Sequence, residues 1–207
     1  MAKTLGGVTV RLKLQLKDEQ TAYNIFCNEL DKYCVEIIMS EQPLHFSFVS
    51  DPCLPETIVL NWKCIDYAIS KNVPVQILTK RADWLEHPSV QNALSHPELV
   101  AVGFSLTGCN ELEPGASTNE HRICAMQTLH QTGIPTWASI EPIIDPAKSY
   151  DMIAQTKDFC DHYKIGVLSG KKSYTPQQIR DFVLAVNALC PKSVYWKKSL
   201  QEFCQKT

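Results

Sequence analysis

From Leu44 onward, short apolar runs alternate with longer stretches in which apolar residues return at helical spacing. Leu44 to Val49 is one run, closed by Ser50, Asp51 and Pro52, and Val75 to Thr79 is another, followed at once by Lys80. Apolar and β-branched runs of this length predict strands covered on both faces, as in parallel α/β sheets. Further strands are expected at Leu99 to Leu106, Ile134 to Ile140, Lys164 to Leu168 and Ser193 to Trp196. Between them Ile58, Trp62, Ile65 and Ile69 recur at steps of four, three and four, which predicts a helix over 55–71 laid against the sheet. Ser117 and Glu120 have capping-box spacing, so a helix is expected to start there and carry Ile123, Met126 and Leu129 inward as far as Gly133. Asp145-Pro146 and Thr175-Pro176 each supply a cap and a first-turn proline for a helix, and the tail from Lys197 reads as helical.

The amino-terminal part is patterned differently. Residues 8–16 alternate apolar and polar without a break, the mark of a strand with one wet face, and Arg11 and Lys13 suit an exposed edge. Asp18 to Tyr33 reads as a helix with Tyr23, Phe26, Leu30 and Tyr33 on one face, and Val35 to Met39 either extends it or forms a short strand. Strand-helix alternation implies crossovers around a parallel sheet. The six or seven units fall short of a closed eight-unit barrel. The expected fold class is α/β, a partial, open TIM-like (β/α)6 barrel with mostly parallel strands. It forms a single domain over 1–207: an atypical strand-helix unit at 1–43, the barrel core at 44–170 and a helix-strand-helix end at 171–207.

Composition removes several classes. The 207 residues carry a formal net charge of −2 and no stripe of Lys and Arg, so no nucleic-acid patch is evident. No apolar run approaches bilayer length and no signal-peptide hydrophobic region opens the chain, so a cytoplasmic protein with no membrane partner is expected. Nine cysteines at irregular spacing argue against a disulfide framework and for reduced, mostly buried thiols.

Chemistry enters at the strand ends, which are Ser50-Asp51, Thr79-Lys80, Ser105 with Thr107, Glu141, and Ser169-Gly170. In parallel sheets these ends share one rim, and hydroxyls with one ammonium and one or two carboxylates suit a small zwitterionic ligand. Gly166 to Lys172 is one residue too short for a phosphate loop and has Lys where the magnesium-binding hydroxyl belongs. The histidines show no ligand spacing, so no metal site is expected. A lysine at a strand end also suits a Schiff-base enzyme of the aldolase kind, with Lys80 as nucleophile.

Five pieces of the segment from His45 to Gly170 then stand out together: Phe48-Val49-Ser50-Asp51, Leu78-Thr79-Lys80, Gly103-Phe104-Ser105-Leu106, Glu113-Pro114-Gly115 through His121-Arg122, and Glu141-Pro142-Ile143. In order and spacing they resemble the radical S-adenosylmethionine (SAM) enzymes, especially the spore photoproduct lyase-like branch, over roughly three fifths of the chain. The resemblance implies a partial (β/α)6 barrel and places Ser50, Lys80 and Ser105 against SAM, with the lysine paired to the ligand's carboxylate. Glu113 and Arg122 match a shared pattern to which a structural role is open. It also implies a [4Fe-4S] cluster held by Cys-x3-Cys-x2-Cys, and that triplet is absent. Cys27 and Cys34 are six residues apart on a predicted helix, and Phe48 stands where a photoproduct lyase has its hydrogen-donating cysteine. The expectation is a truncated or degenerate radical SAM-like chain with a partly retained SAM-facing rim, no cluster ligands of its own and no radical chemistry alone, with a separate cluster-bearing polypeptide as a candidate partner. The other reading is a non-catalytic binding or assembly module on a relic barrel.

Overall fold

A computed structural model describes residues 18–46, 50–189 and 191–205. The alternating segment 8–16 and Phe48 lie outside the described residues. Asp18 caps the first helix, its carboxylate accepting from the Thr21 amide at 3.0 Å, and α1 (Glu19–Met39) runs on through Val35 to Met39. The open choice there resolves as helix. Leu30 is buried, while Tyr33, expected on the inner face, is exposed.

Six strands follow, β1 (Leu44–Phe46), β2 (Val75–Thr79), β3 (Val100–Ser105), β4 (Thr136–Ile143), β5 (His162–Val167) and β6 (Val194–Trp196). They pair in sequence order and every pairing is parallel, so among the described residues the sheet starts at β1 and stops at β6. Helices α2 (Ile58–Ser70), α3 (Gln91–Leu94), α4 (Asn119–Gln131), α5 (Pro146–Thr156) and α6 (Pro176–Ala188) connect them, and α7 (Lys198–Cys204) ends the described chain. This is a partial, open TIM-like barrel.

Most of the elements follow from their sequences. Ile58, Trp62, Ile65 and Ile69 are all buried along α2, the face their spacing assigned. Thr175 caps α6 through a full capping box with Gln178, and Asp145 caps α5 by accepting from the amides of Ala147 and Lys148. At α4 the cap is Thr118, not Ser117: Thr118 Oγ1 accepts from the His121 amide, Ser117 Oγ accepts from the Ala82 amide at 2.9 Å, and Glu120 accepts from Asn110. A loop contact thus claims the hydroxyl that local spacing had assigned to the helix. β4 outruns its expected end at Ile140, continuing through Glu141 and Pro142 to Ile143.

One expectation needs a larger correction. The strands are not covered equally on both faces. Along β2, Val75, Ile77 and Thr79 are buried in the main core, whereas Gln76 and Leu78 are only partly covered. The second face is curved and polar: Lys164 Nζ on β5 lies 3.3 Å from Gln76 Oε1 on β2. Three strand spacings separate those strands, about 14 Å in a flat sheet, so the sheet bends to bring the two side chains together.

Candidate functional site

The rim at the carboxyl ends of β1, β2 and β3 is organised by carboxylates. Asp51 follows β1 and binds across to the end of β2: Oδ1 accepts from Thr79 Oγ1 at 2.7 Å and from the Cys53 amide at 2.9 Å, while Oδ2 accepts from the Lys80 amide at 2.7 Å. Thr79 Oγ1 accepts in turn from the Arg81 amide at 2.9 Å. The turn that presents Lys80 is thereby fixed at three backbone or side-chain donors by one carboxylate.

Glu113, in the loop before α4, joins the next pair of strands. Its Oε1 forms an ion pair with Lys80 Nζ at 2.8 Å. Its Oε2 accepts from Arg122 Nη2 at 2.5 Å and from Thr107 Oγ1 at 2.9 Å, and Arg122 Nη1 donates to the Ser105 carbonyl at 2.5 Å. The Arg122 side chain is wholly buried and that of Glu113 nearly so, whereas 44% of the Lys80 side chain is exposed. Burial is the largest influence on Glu113 and pushes its carboxyl up, but the hydrogen bonds from Arg122 and Lys80 reverse this and hold it below the ordinary Glu value. Glu113 is therefore a carboxylate at neutral pH, neutralised mainly by a guanidinium that cannot leave and touched by an ammonium that can.

Of the residues expected to face SAM, Lys80 and Ser105 are tied into this one network through Glu113 and Arg122, and Ser50 precedes the Asp51 that fixes the Lys80 turn. Glu141 does not join them; it pairs with Lys197. Glu113 and Arg122, matched by pattern alone in the sequence, supply the connection. Their geometry was not legible because both sit outside strands, nine residues apart, and meet only after α4 docks on β3.

The described cysteines do not fit a [4Fe-4S] cluster. Cys27 and Cys34 lie two turns apart along α1, about 10 Å of axial rise, too far to share one face of a cluster with a third thiol. Burial raises the Cys53 thiol, and pushes those of Cys64 and Cys160 to about 12, against the thiolate form that binds iron. Among the described residues no three His, Cys, Asp or Glu side chains form a group that could hold a metal ion. The eight described cysteines are free thiols; Cys53, Cys64, Cys109 and Cys160 are buried and Cys124 is exposed, so burial is less general than expected. No helix among the described residues is long and apolar enough to cross a membrane.

Sequential parallel strands, an open barrel and a polar rim at the strand ends together make a partial TIM-like (β/α)6 fold, and solved structures share it. SuiB of Streptococcus suis superposes with a TM-score of 0.57 at 11% identity, over 72% of this chain and 37% of SuiB. Its S-adenosylmethionine-bound form gives 0.56 at 11% identity over 72% and 38%, and its complex with precursor peptide SuiA gives 0.55 at 12% identity over 70% and 36%. In sequence, the chain is 32% identical over 108 residues to uncharacterized protein MJ0683 of Methanocaldococcus jannaschii, covering 51% of this chain and 42% of that protein. No family model matches. The chain spans less than half of MJ0683 and little more than a third of SuiB.

Proposed function

We propose that the chain presents the SAM-binding rim of a radical SAM-type barrel, with Ser50, Lys80 and Ser105 toward the ligand, and that any iron-sulfur cluster comes from a separate polypeptide. The kinship to the spore photoproduct lyase-like branch belongs to the same proposal and rests on the order of the sequence motifs. The observation that carries the reading is the uneven pairing around Glu113. Arg122 alone neutralises that carboxylate from a buried position, so half-exposed Lys80 can turn to a ligand carboxylate without leaving a bare buried charge behind. Glu113 then offers its freed oxygen to the ligand's ammonium. SuiB crystallises with S-adenosylmethionine on the same fold, which supports the choice of ligand. When bound, SAM supplies a sulfonium centre; the residues of this chain hold and orient its amino-acid end.

The test is calorimetric titration of the purified chain with SAM. Saturable binding is expected, and Lys80→Ala should weaken it by about 10- to 100-fold, the equivalent of a charge-assisted hydrogen bond of about 1.5–3 kcal/mol. Absence of binding by the wild-type chain would sink the reading and favour the non-catalytic module. A Schiff-base role gains nothing from this geometry, because an ion-paired ammonium has no lone pair to attack a carbonyl.

A further inference from the structure

The curved face of the sheet holds a second polar constellation, set back from the rim. Gln76, Trp137 and Lys164 occupy the amino-terminal halves of β2, β4 and β5, and with His45, Leu78 and Tyr195 they border a cavity of about 410 Å³. That is the size of a small-molecule site, and neither Lys80 nor Ser105 borders it.

The ammonium groups in this cavity outnumber the carboxylates. Trp137 is 5% exposed, and its indole Nε1–H has no hydrogen-bond partner. Its ring is seated against Gly103, where an added Cβ would lie 2.1 Å from the indole Cε2, so no other residue at 103 accommodates it. Lys164 Nζ stands 4.4 Å from the centroid of that ring and 3.3 Å from Gln76 Oε1, and among the described residues it forms no salt bridge. Glu141 pairs with Lys197, for which Gly166 leaves room: a Cβ there would meet Glu141 Oε1 at 2.8 Å and Lys197 Cδ at 3.1 Å. Burial, then Lys164 and Lys197, hold the His45 imidazole below its ordinary pKa, so it adds no charge at neutral pH. Two ammonium groups against one carboxylate leave a single positive charge in a cavity walled in part by the Trp137 ring.

We propose that this cavity binds a small organic acid with one carboxylate and an apolar body. Lys164 takes the carboxylate, and Leu78, Tyr195 and the Trp137 ring cover the body. One unbalanced charge matches a monocarboxylate, whereas a phosphate dianion would leave a charge unmet, and no guanidinium borders the cavity to bind it bidentately. Burial and then the neighbouring Lys197 depress the Lys164 pKa, the strain that an incoming anion relieves.

Benzoate is the probe, titrated into the full chain by calorimetry beside benzamide, its neutral counterpart, and inorganic phosphate. Benzoate should bind one to one and benzamide at least tenfold more weakly. Lys164→Gln should lose at least tenfold, and Lys164→Arg should retain binding because it keeps the charge. No saturable benzoate binding, equal affinity for benzamide, tighter binding of phosphate, or full affinity in Lys164→Gln would each overturn the proposal. If Lys164→Gln does not fold, the benzamide and phosphate arms still decide. The SAM titration reads the rim separately, so either reading can fail while the other stands.

Discussion

Glu113 decides the charge balance of the rim. It is nearly buried, yet three donors, Arg122, Lys80 and Thr107, hold it as a carboxylate. Its pKa in the folded chain lies below the ordinary value, so it contributes stability that is present above the unfolded Glu pKa of about 4.3 and lost as pH falls through the folded value. Glu113→Gln should cost about 3–5 kcal/mol in urea unfolding at pH 7, because it leaves the Arg122 guanidinium buried without a counter-charge. The gap between wild type and variant should narrow as the pH falls below the unfolded Glu pKa of about 4.3 and toward the lower folded value. Lys80→Ala should change stability by less than about 1 kcal/mol, since its pair with Glu113 faces water on one side. A large loss from Lys80→Ala would mean that the lysine is structural. At this scale the sequence revealed positions but not partners: Lys80 and Ser105 were legible as strand ends, whereas the Arg122 link between them was not, because it needs the docking of a helix on a strand.

At the scale of elements, periodicity and capping chemistry carried far. The buried face of α2 agrees with its spacing, and Asp145 and Thr175 cap as their sequences suggest. The failures occur where a distant group competes for a local one, as Ala82 does for the Ser117 hydroxyl. Polar residues inside apolar strands were also overlooked, Gln76 in β2 and Lys164 in β5. A lysine three residues into an otherwise buried strand was the available signal. β3 and β4 show what the strands must satisfy jointly: Gly103 pairs in register with Trp137, and the indole occupies the space a side chain at 103 would need. Gly103→Ala should therefore destabilise by about 1–3 kcal/mol through overpacking. Trp137→Leu in the same chain should recover part of that loss, a coupling that a double-mutant cycle by urea unfolding would measure. Additive losses would show that the ring is free to move aside.

For the whole molecule, the open barrel accounts for both candidate sites: the rim lies at the strand ends, and the curvature that joins Lys164 to Gln76 creates the cavity. It also bounds the chemistry. With thiols placed as they are, anaerobic reconstitution with iron and sulfide should give the chain alone no stoichiometric cluster, measured as bound iron, acid-labile sulfide and brown absorbance. A SAM-reducible cluster at full occupancy would overturn that expectation. The sequence by itself determined the strand-helix alternation, which implies the parallel class, and several caps and helix faces, because each depends on residues within one or two turns of each other. Only the tertiary structure decided that Glu113 neutralises Arg122 while touching Lys80, and that Gly103 yields its space to Trp137. It likewise decided that Lys164 stands without a carboxylate partner among the described residues, because such pairings are made by segments far apart in the chain whose distances exist only once the sheet has curved.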